Sequence, residues 1–348
     1  MVSLPANIYM EIKLKLGILD QSIVRQGSTA ADAIAETIAT AKLAENLGYS
    51  RFWVSEHHNA ASIAGSAPEL LMVKLADETQ QIRIGSGGIM LPNHSALKVA
   101  ENFRMLETLF PGRIDLGMGR APGGDRITAS MLNPSNTFSE ESYLAQLEHL
   151  QHFFNDTAAT KYGSLLAVPQ ATTMPAQWIL SSSGGSSKIA AQFGMGLVIA
   201  RFINGHAGPE VADIYRRNFI PSVQFTSPAV MISISVLCAE TEVKATEMRK
   251  LMDYRLLQFE KGDFDKPGNY DSVKDYEFSP GELVRISNNN GRTISGTPPQ
   301  VKKQLLQLAS EFNVDEIIVA TMTGSLEDRK RSFELLAGAF ELKDHQPA

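Results

Sequence analysis

Cysteine is almost missing: Cys238 is the single one in 348 residues. No intramolecular disulfide and no cysteine-based zinc site can form from it, and the expected compartment is the reducing cytoplasm. No apolar run approaches the ~20 residues of a spanning helix, and the first residues lack the basic and apolar regions of a secretory signal, so no membrane partner is expected. Residues 1–10 read as an N-terminal extension ahead of a second start at Met10. Lysine and arginine (32) are outnumbered by aspartate and glutamate (38), for a net charge of −6. They form no basic block of the kind that releases counterions from phosphate backbones, so nucleic acid is not an expected partner. A fixed short repeat is absent, which speaks against a solenoid.

Several signature motifs are missing too. Gly117-Met118-Gly119-Arg120-Ala121-Pro122 breaks the dinucleotide fingerprint G-x-G-x-x-G, because Pro122 stands at the last glycine position. Walker, G-x-S-x-G and H-E-x-x-H sequences do not occur, so a dedicated nicotinamide domain and the common hydrolase and zinc-protease sites find no support.

What is present is a soluble composition, 43% hydrophobic and 20% charged, arranged as short apolar runs alternating with longer amphipathic stretches. Strands are expected at 12–19, 51–55, 82–90, 113–119, 177–181, 197–200, 230–237 and 316–320. Helices are expected at 31–47, 68–78, 95–110, 140–154, 188–193 and 298–311. Eight βα units without polar linkers favour a closed (β/α)8 TIM barrel, one domain over residues 1–348, over an open sheet with two edges to protect. A plain barrel takes about 250 residues. Some of the surplus falls at 121–139 and 155–176. The largest share, about 240–297, is inserted between strand 7 and its crossover helix. Within it, 261–296 is rich in Gly, Pro, Asn and Asp and reads as a candidate mobile lid or a disordered stretch.

Active sites of such barrels lie at the C-terminal strand ends, and there the sequence gathers Glu56-His57-His58, Ser86-Gly87-Gly88, Gly119-Arg120 and Ser181 to Ser187. Adjacent histidines on extended backbone point to opposite sides, which disfavours a metal site and leaves no metal residues assigned. Two readings remain for this segment. In one, a histidine is structurally bonded and its neighbour exposed. In the other, His57 is a general acid or base whose tautomer is fixed by Glu56 or a backbone group. Ser182, Ser183 and Ser186, ahead of a helix and beside Arg120, suit a phosphate: hydroxyls and amides donate, small residues permit close approach, and a guanidinium binds bidentately.

These segments together resemble the bacterial luciferase-like flavin-dependent monooxygenases. The likeness lies in FWVSEHHN (52–59), IRIGSGGIMLPNHSALKVAE (82–101), PGRIDLGMGRAPG (111–123), ILSSSGGSSKIAAQFG (179–194) and DEIIV (315–319), in one order over nearly the whole chain. The resemblance implies a TIM barrel that takes FMN as FMNH2 from a separate flavin reductase. The reduced flavin reacts with O2 to a C4a-peroxyflavin and oxygenates a small organic substrate, and a homodimer is implied as well. It places His57 by the reactive side of the flavin with Glu56 as neighbour, a cis peptide between Gly87 and Gly88 beneath it, and the phosphate on Arg120, Ser182, Ser183 and Ser186. Ser182 stands where light-emitting relatives carry glutamate, and Arg201 where they carry tryptophan, so the likeness is to the non-luminescent members. Alternatives from other classes are a metal-dependent barrel hydrolase on Glu56, His57 and His58, a non-catalytic flavin-binding protein, and a deazaflavin-dependent reductase.

Overall fold

A strand buried on both faces must be apolar throughout, and the eight runs read from the sequence each form one parallel strand. In the computed structural model, residues 13–262 and 268–345 are described; the extension at 1–10 lies outside them. The strands are β1 (Lys15–Asp20), β2 (Arg51–Val54), β3 (Arg83–Met90), β4 (Ile114–Gly119), β5 (Ala176–Ser181), β6 (Gly196–Ala200), β7 (Val230–Cys238) and β8 (Glu316–Ala320). They pair in chain order, β8 returns to β1, and β6 pairs with β7 to close the cylinder. The (β/α)8 barrel is therefore the fold.

The helices are α1 (Ala30–Leu47), α2 (Pro68–Asp77), α3 (Ala96–Leu109), α4 (Arg126–Leu132), α5 (Glu140–Phe154), α6 (Ser187–Gln192), α7 (Glu210–Asn218), α8 (Glu242–Glu260), α9 (Pro280–Asn289), α10 (Pro298–Phe312) and α11 (Leu326–Phe340). Several of their starts are set by side chains that accept the free N–H groups of the first turn, as Ser139 does for α5 and Thr241 for α8. Thr29 with Asp32 and Thr297 with Gln300 form capping boxes, and Gly48, in the left-handed region, ends α1. Among the described residues no helix is long and apolar enough to cross a membrane.

The main core, with Leu16, Phe52, Leu75, Phe103, Leu147 and Phe333, lies between strands and helices. A second cluster fills the barrel itself: Leu19, Trp53, Trp178, Val198, Met231 and Ile318. Below it, toward the N-terminal strand ends, Arg51 bridges Asp115 at 2.8 Å and Glu316 at 2.7 Å, and Arg83 reaches Asp115 at 2.7 Å. Burial works against the Arg51 charge, but the two carboxylates outweigh it and hold the guanidinium above its usual pKa. These buried ion pairs and the apolar cluster fill the lower half of the barrel.

The insertion after β7 is more ordered than its composition predicts. Residues 263–267 lie outside the described ones, but Tyr270–Ser272 forms a single turn and α9 opens with a Ser279/Glu282 capping box and Pro280. The added strand Thr293–Gly296 then pairs with Ser235–Cys238 of β7. The first half of β7, Val230–Ser233, pairs with β6 on that same side. The added strand thus continues the barrel wall where β6 leaves off, and a disordered reading of 268–296 is corrected on this point.

Candidate active site

A cavity of about 380 Å³ sits above the barrel plug, lined by Glu56, His57, Gly87, Arg120, Ser182, Ser183 and Ser186 among others. Seven of the eight residues expected at the site therefore face one space. Gly88, the eighth, packs behind it, where a Cβ would come within 2.5 Å of Leu180 Cδ1 and 2.7 Å of Gly117 O. The Gly87–Gly88 peptide is cis. A Cβ on Gly87 would lie 2.7 Å from Leu19 Cδ1 and 3.1 Å from Trp53 Cε3, so a side chain there would crowd the apolar cluster inside the barrel. A second groove, between α1 and the start of α11, is lined by none of the expected residues.

The loop after β2 is held by backbone bonds from His57 N to Gly65 O and from His58 N to Gly123 O, each 2.9 Å. Gly123 has φ +66°, a left-handed conformation that glycine adopts freely. His57 Nδ1 lies 3.1 Å from Ser55 Oγ. Burial lowers the His57 pKa first of all; Glu56 raises it and His58 lowers it, and the net direction is down. A ring kept neutral near pH 7 can accept a proton, which is what a general base requires.

Glu56 does not fix the His57 ring, contrary to one sequence-based expectation. Its Oε1 accepts from His58 Nε2 at 2.7 Å and from His94 Nε2 at 2.9 Å, and its Oε2 accepts from Met90 N at 2.7 Å. Burial would raise the Glu56 pKa, but hydrogen bonds and charge from His94, with His58 and Met90 N–H, outweigh it and hold the carboxyl below its usual range. Ser55, one residue back, takes the orienting position instead. Among the described residues no group of three His, Cys, Asp or Glu could hold a metal ion.

Arg120 is half exposed at the cavity mouth, paired with Glu140 at 2.7 Å. Ser186 is the residue before α6 but makes no side-chain capping bond, so its hydroxyl is not committed to the helix. Gly184 N donates to Ser181 Oγ at 3.1 Å, and Asn204 Nδ2 donates to Ser182 O at 2.8 Å, which sets the loop's course. Arg201 does not enter the cavity. Its guanidinium donates to Gly205 O at 2.6 Å and Ala207 O at 2.8 Å, and Phe202 and Ile203 line the wall in its place.

Several residues of the site were not read from the sequence: Ser55, Leu19, Val198, Ser233 and Ile318, which line the cavity, and His94, which bonds Glu56 from behind it. Leu19, Val198, Ser233 and Ile318 alternate with outward-facing neighbours on their strands, a period-2 signal hidden because both faces of each strand are apolar.

A barrel filled below, with polar strand-end residues around one cavity above, defines a barrel enzyme with a cofactor-sized site. The chain belongs to the luciferase-like monooxygenase family, whose model matches residues 14–315. It is 46% identical over 330 residues to the Bacillus subtilis protein YwcH, covering 94% of this chain and 99% of the other. It is 35% identical over 329 residues to the N-acetyl-S-alkylcysteine monooxygenase of the same organism, covering 94% and 98%. The crystal structure of apo-MsnO8 superposes with a TM-score of 0.89 at 34% identity, covering 96% of this chain and 100% of that one. The protein is an enzyme of the monooxygenase class these relatives represent.

Proposed function

We propose that the enzyme is the oxygenating component of a two-component flavin monooxygenase, taking reduced FMN from a separate reductase and inserting one atom of O2 into a small organic substrate. The observation that carries this reading is the convergence of His57, Gly87, Arg120 and the Ser182–Ser186 loop on one cavity whose opposite wall is apolar. The residues fit the cofactor in two respects. The uncommitted Ser186 hydroxyl and the cation of Arg120 suit a phosphate at the mouth. Gly87 lines the cavity without a side chain, which leaves its backbone open to a flat ring.

Reduced FMN, when bound, supplies the electrons that activate O2. The protein's part is binding, water exclusion and proton control. Arg120 and the serines anchor the phosphate. Leu19, Leu180, Val198 and Ile318 keep bulk water from the reacting centre. His57, neutral and oriented through Nδ1 by Ser55 Oγ, holds or moves one proton at its ring.

In this reading the protein is a homodimer. Leu70 and Val73 of α2 and Met105 and Leu109 of α3 are exposed apolar side chains on adjacent helices, and covering them would remove that surface from water. Light scattering checks the mass. The main test is a fluorescence titration with FMN followed by oxygen uptake with reduced FMN. Saturable FMN binding and substrate-dependent uptake support the reading; no FMN binding at millimolar concentrations overturns it.

A further inference from the structure

The cavity wall changes character around its circumference. β2 to β5 and the loops after them present Ser55, Glu56, His57, Arg120 and the serine loop, whereas β6 round to β1 presents Val198, Ala200, Phe202, Ile318 and Leu19. Apart from Gln21, half-buried beyond the end of β1, that second arc has one polar side chain, Ser233 on β7.

Ser233 is 3% exposed, and its Oγ has no hydrogen-bond partner among the described residues. Its strand neighbours in register, Ala200 and Ile318, offer no side-chain partner. Nearby, Thr321 Oγ1 donates to Val236 O at 2.9 Å, while Ser235 and Thr293 are left unpaired as Ser233 is; of these three unpaired hydroxyls, Ser233 is the one that lines the cavity. A buried hydroxyl left unpaired is costly, and buried polar atoms are almost always bonded; the partner is therefore to be sought in what fills the cavity.

We infer that Ser233 Oγ is the hydrogen-bonding contact for the one oxygen function, a carbonyl or hydroxyl, of a substrate whose remaining frame is apolar. The inference rests on the flavin reading in one respect: the polar groups of β2 to β5 are taken up by the cofactor, which leaves the β6–β1 arc to the substrate. The lone hydroxyl selects molecules that can occupy it, because an isostere without the oxygen leaves it unpaired.

The test uses cyclohexanone and its isostere methylenecyclohexane, with binding measured by ligand-observed NMR on the full-length protein, with and without FMN. The wild type should bind the ketone roughly fivefold more tightly, the effect of one neutral hydrogen bond. Ser233→Ala should abolish that ratio by weakening the ketone alone, with FMN affinity unchanged and the melting midpoint of the free protein unchanged or raised. A ratio that persists in Ser233→Ala, a wild type that binds the two equally or fails to bind the ketone, a weakened FMN affinity, or a lowered midpoint would each overturn the inference. Failure of FMN to bind the wild type would instead defeat the flavin reading, while the ketone ratio without FMN still decides the role of Ser233.

Discussion

His94 Nε2 lies 2.9 Å from Glu56 Oε1, joining groups 38 residues apart in the chain. Because Met90 N and His58 also bond this carboxylate, the loops after β2 and β3 are braced on one buried anion beside the cavity. Glu56→Gln should cost about 2 kcal/mol, since charge-assisted bonds give way to neutral ones inside the protein. Urea unfolding measures it, and a loss below about 0.5 kcal/mol would mean that the brace contributes little.

The same contact sets a pH dependence. Burial lowers the His94 pKa, but the hydrogen bond and charge of Glu56 outweigh it and raise the value above the usual 6.5. Its stabilising contribution is therefore complete below that ordinary value and is lost as pH rises through the raised one. His57 is shifted down, so its contribution is present above the ordinary value and fades as pH falls through the lowered one. NMR titration should find His94 above and His57 below 6.5; the reverse order would contradict the geometry.

Replacing His57 separates chemistry from folding. His57→Ala removes a ring whose side-chain hydrogen bond is to Ser55 Oγ alone among the described residues, so the melting midpoint should move little. Substrate-dependent oxygen uptake should fall about a hundredfold, the lower end of what a positioned acid or base contributes. Unaltered uptake would remove His57 from the mechanism.

At the cavity mouth the pair Arg120–Glu140 is exposed on both sides and adds little to stability. Arg120→Ala should weaken FMN binding by roughly 1.5–3 kcal/mol, the range for a lost bond to a charged group. Glu140→Ala frees the same guanidinium and should tighten FMN binding. Fluorescence titration of both variants decides, and equal affinities in all three proteins would place the phosphate elsewhere.

The barrel plug predicts the largest single loss. Arg51→Met leaves Asp115 and Glu316 buried without their shared cation, which typically costs about 3–5 kcal/mol. In the wild type, burial pushes the Asp115 pKa up, but Arg51 and Arg83 outweigh it and bring it below its usual range. Its support is thus present above that range and lost as pH falls through the lowered value. Chemical denaturation at pH 7 and near pH 3 tests both statements.

Much of this was legible in the chain. All eight barrel strands fall within about three residues of where apolar runs place them, because a strand covered on both faces needs an uninterrupted apolar stretch. His57, Arg120 and the serine loop could be read as a group since they end strands of one barrel. The pairing of Glu56 with His94 could not, because it depends on how the single turn after β3, Leu91–Asn93, aims the histidine that follows it. Helix α9 was missed although its Ser279-Pro280-x-Glu282 cap is plain in the sequence. Asn289 is its one buried residue, so no apolar stripe marked it.

The added strand Thr293–Gly296 bears on how this protein can be re-engineered. Trimming the whole insertion would uncover the backbone N–H and C=O groups of Ser235 to Cys238 and turn a sealed cylinder into one with a sticky seam open to edge-to-edge association. Loop exchange with relatives is therefore best confined to the stretch between the end of α8 and Ser279, where none of the described residues pairs with a barrel strand.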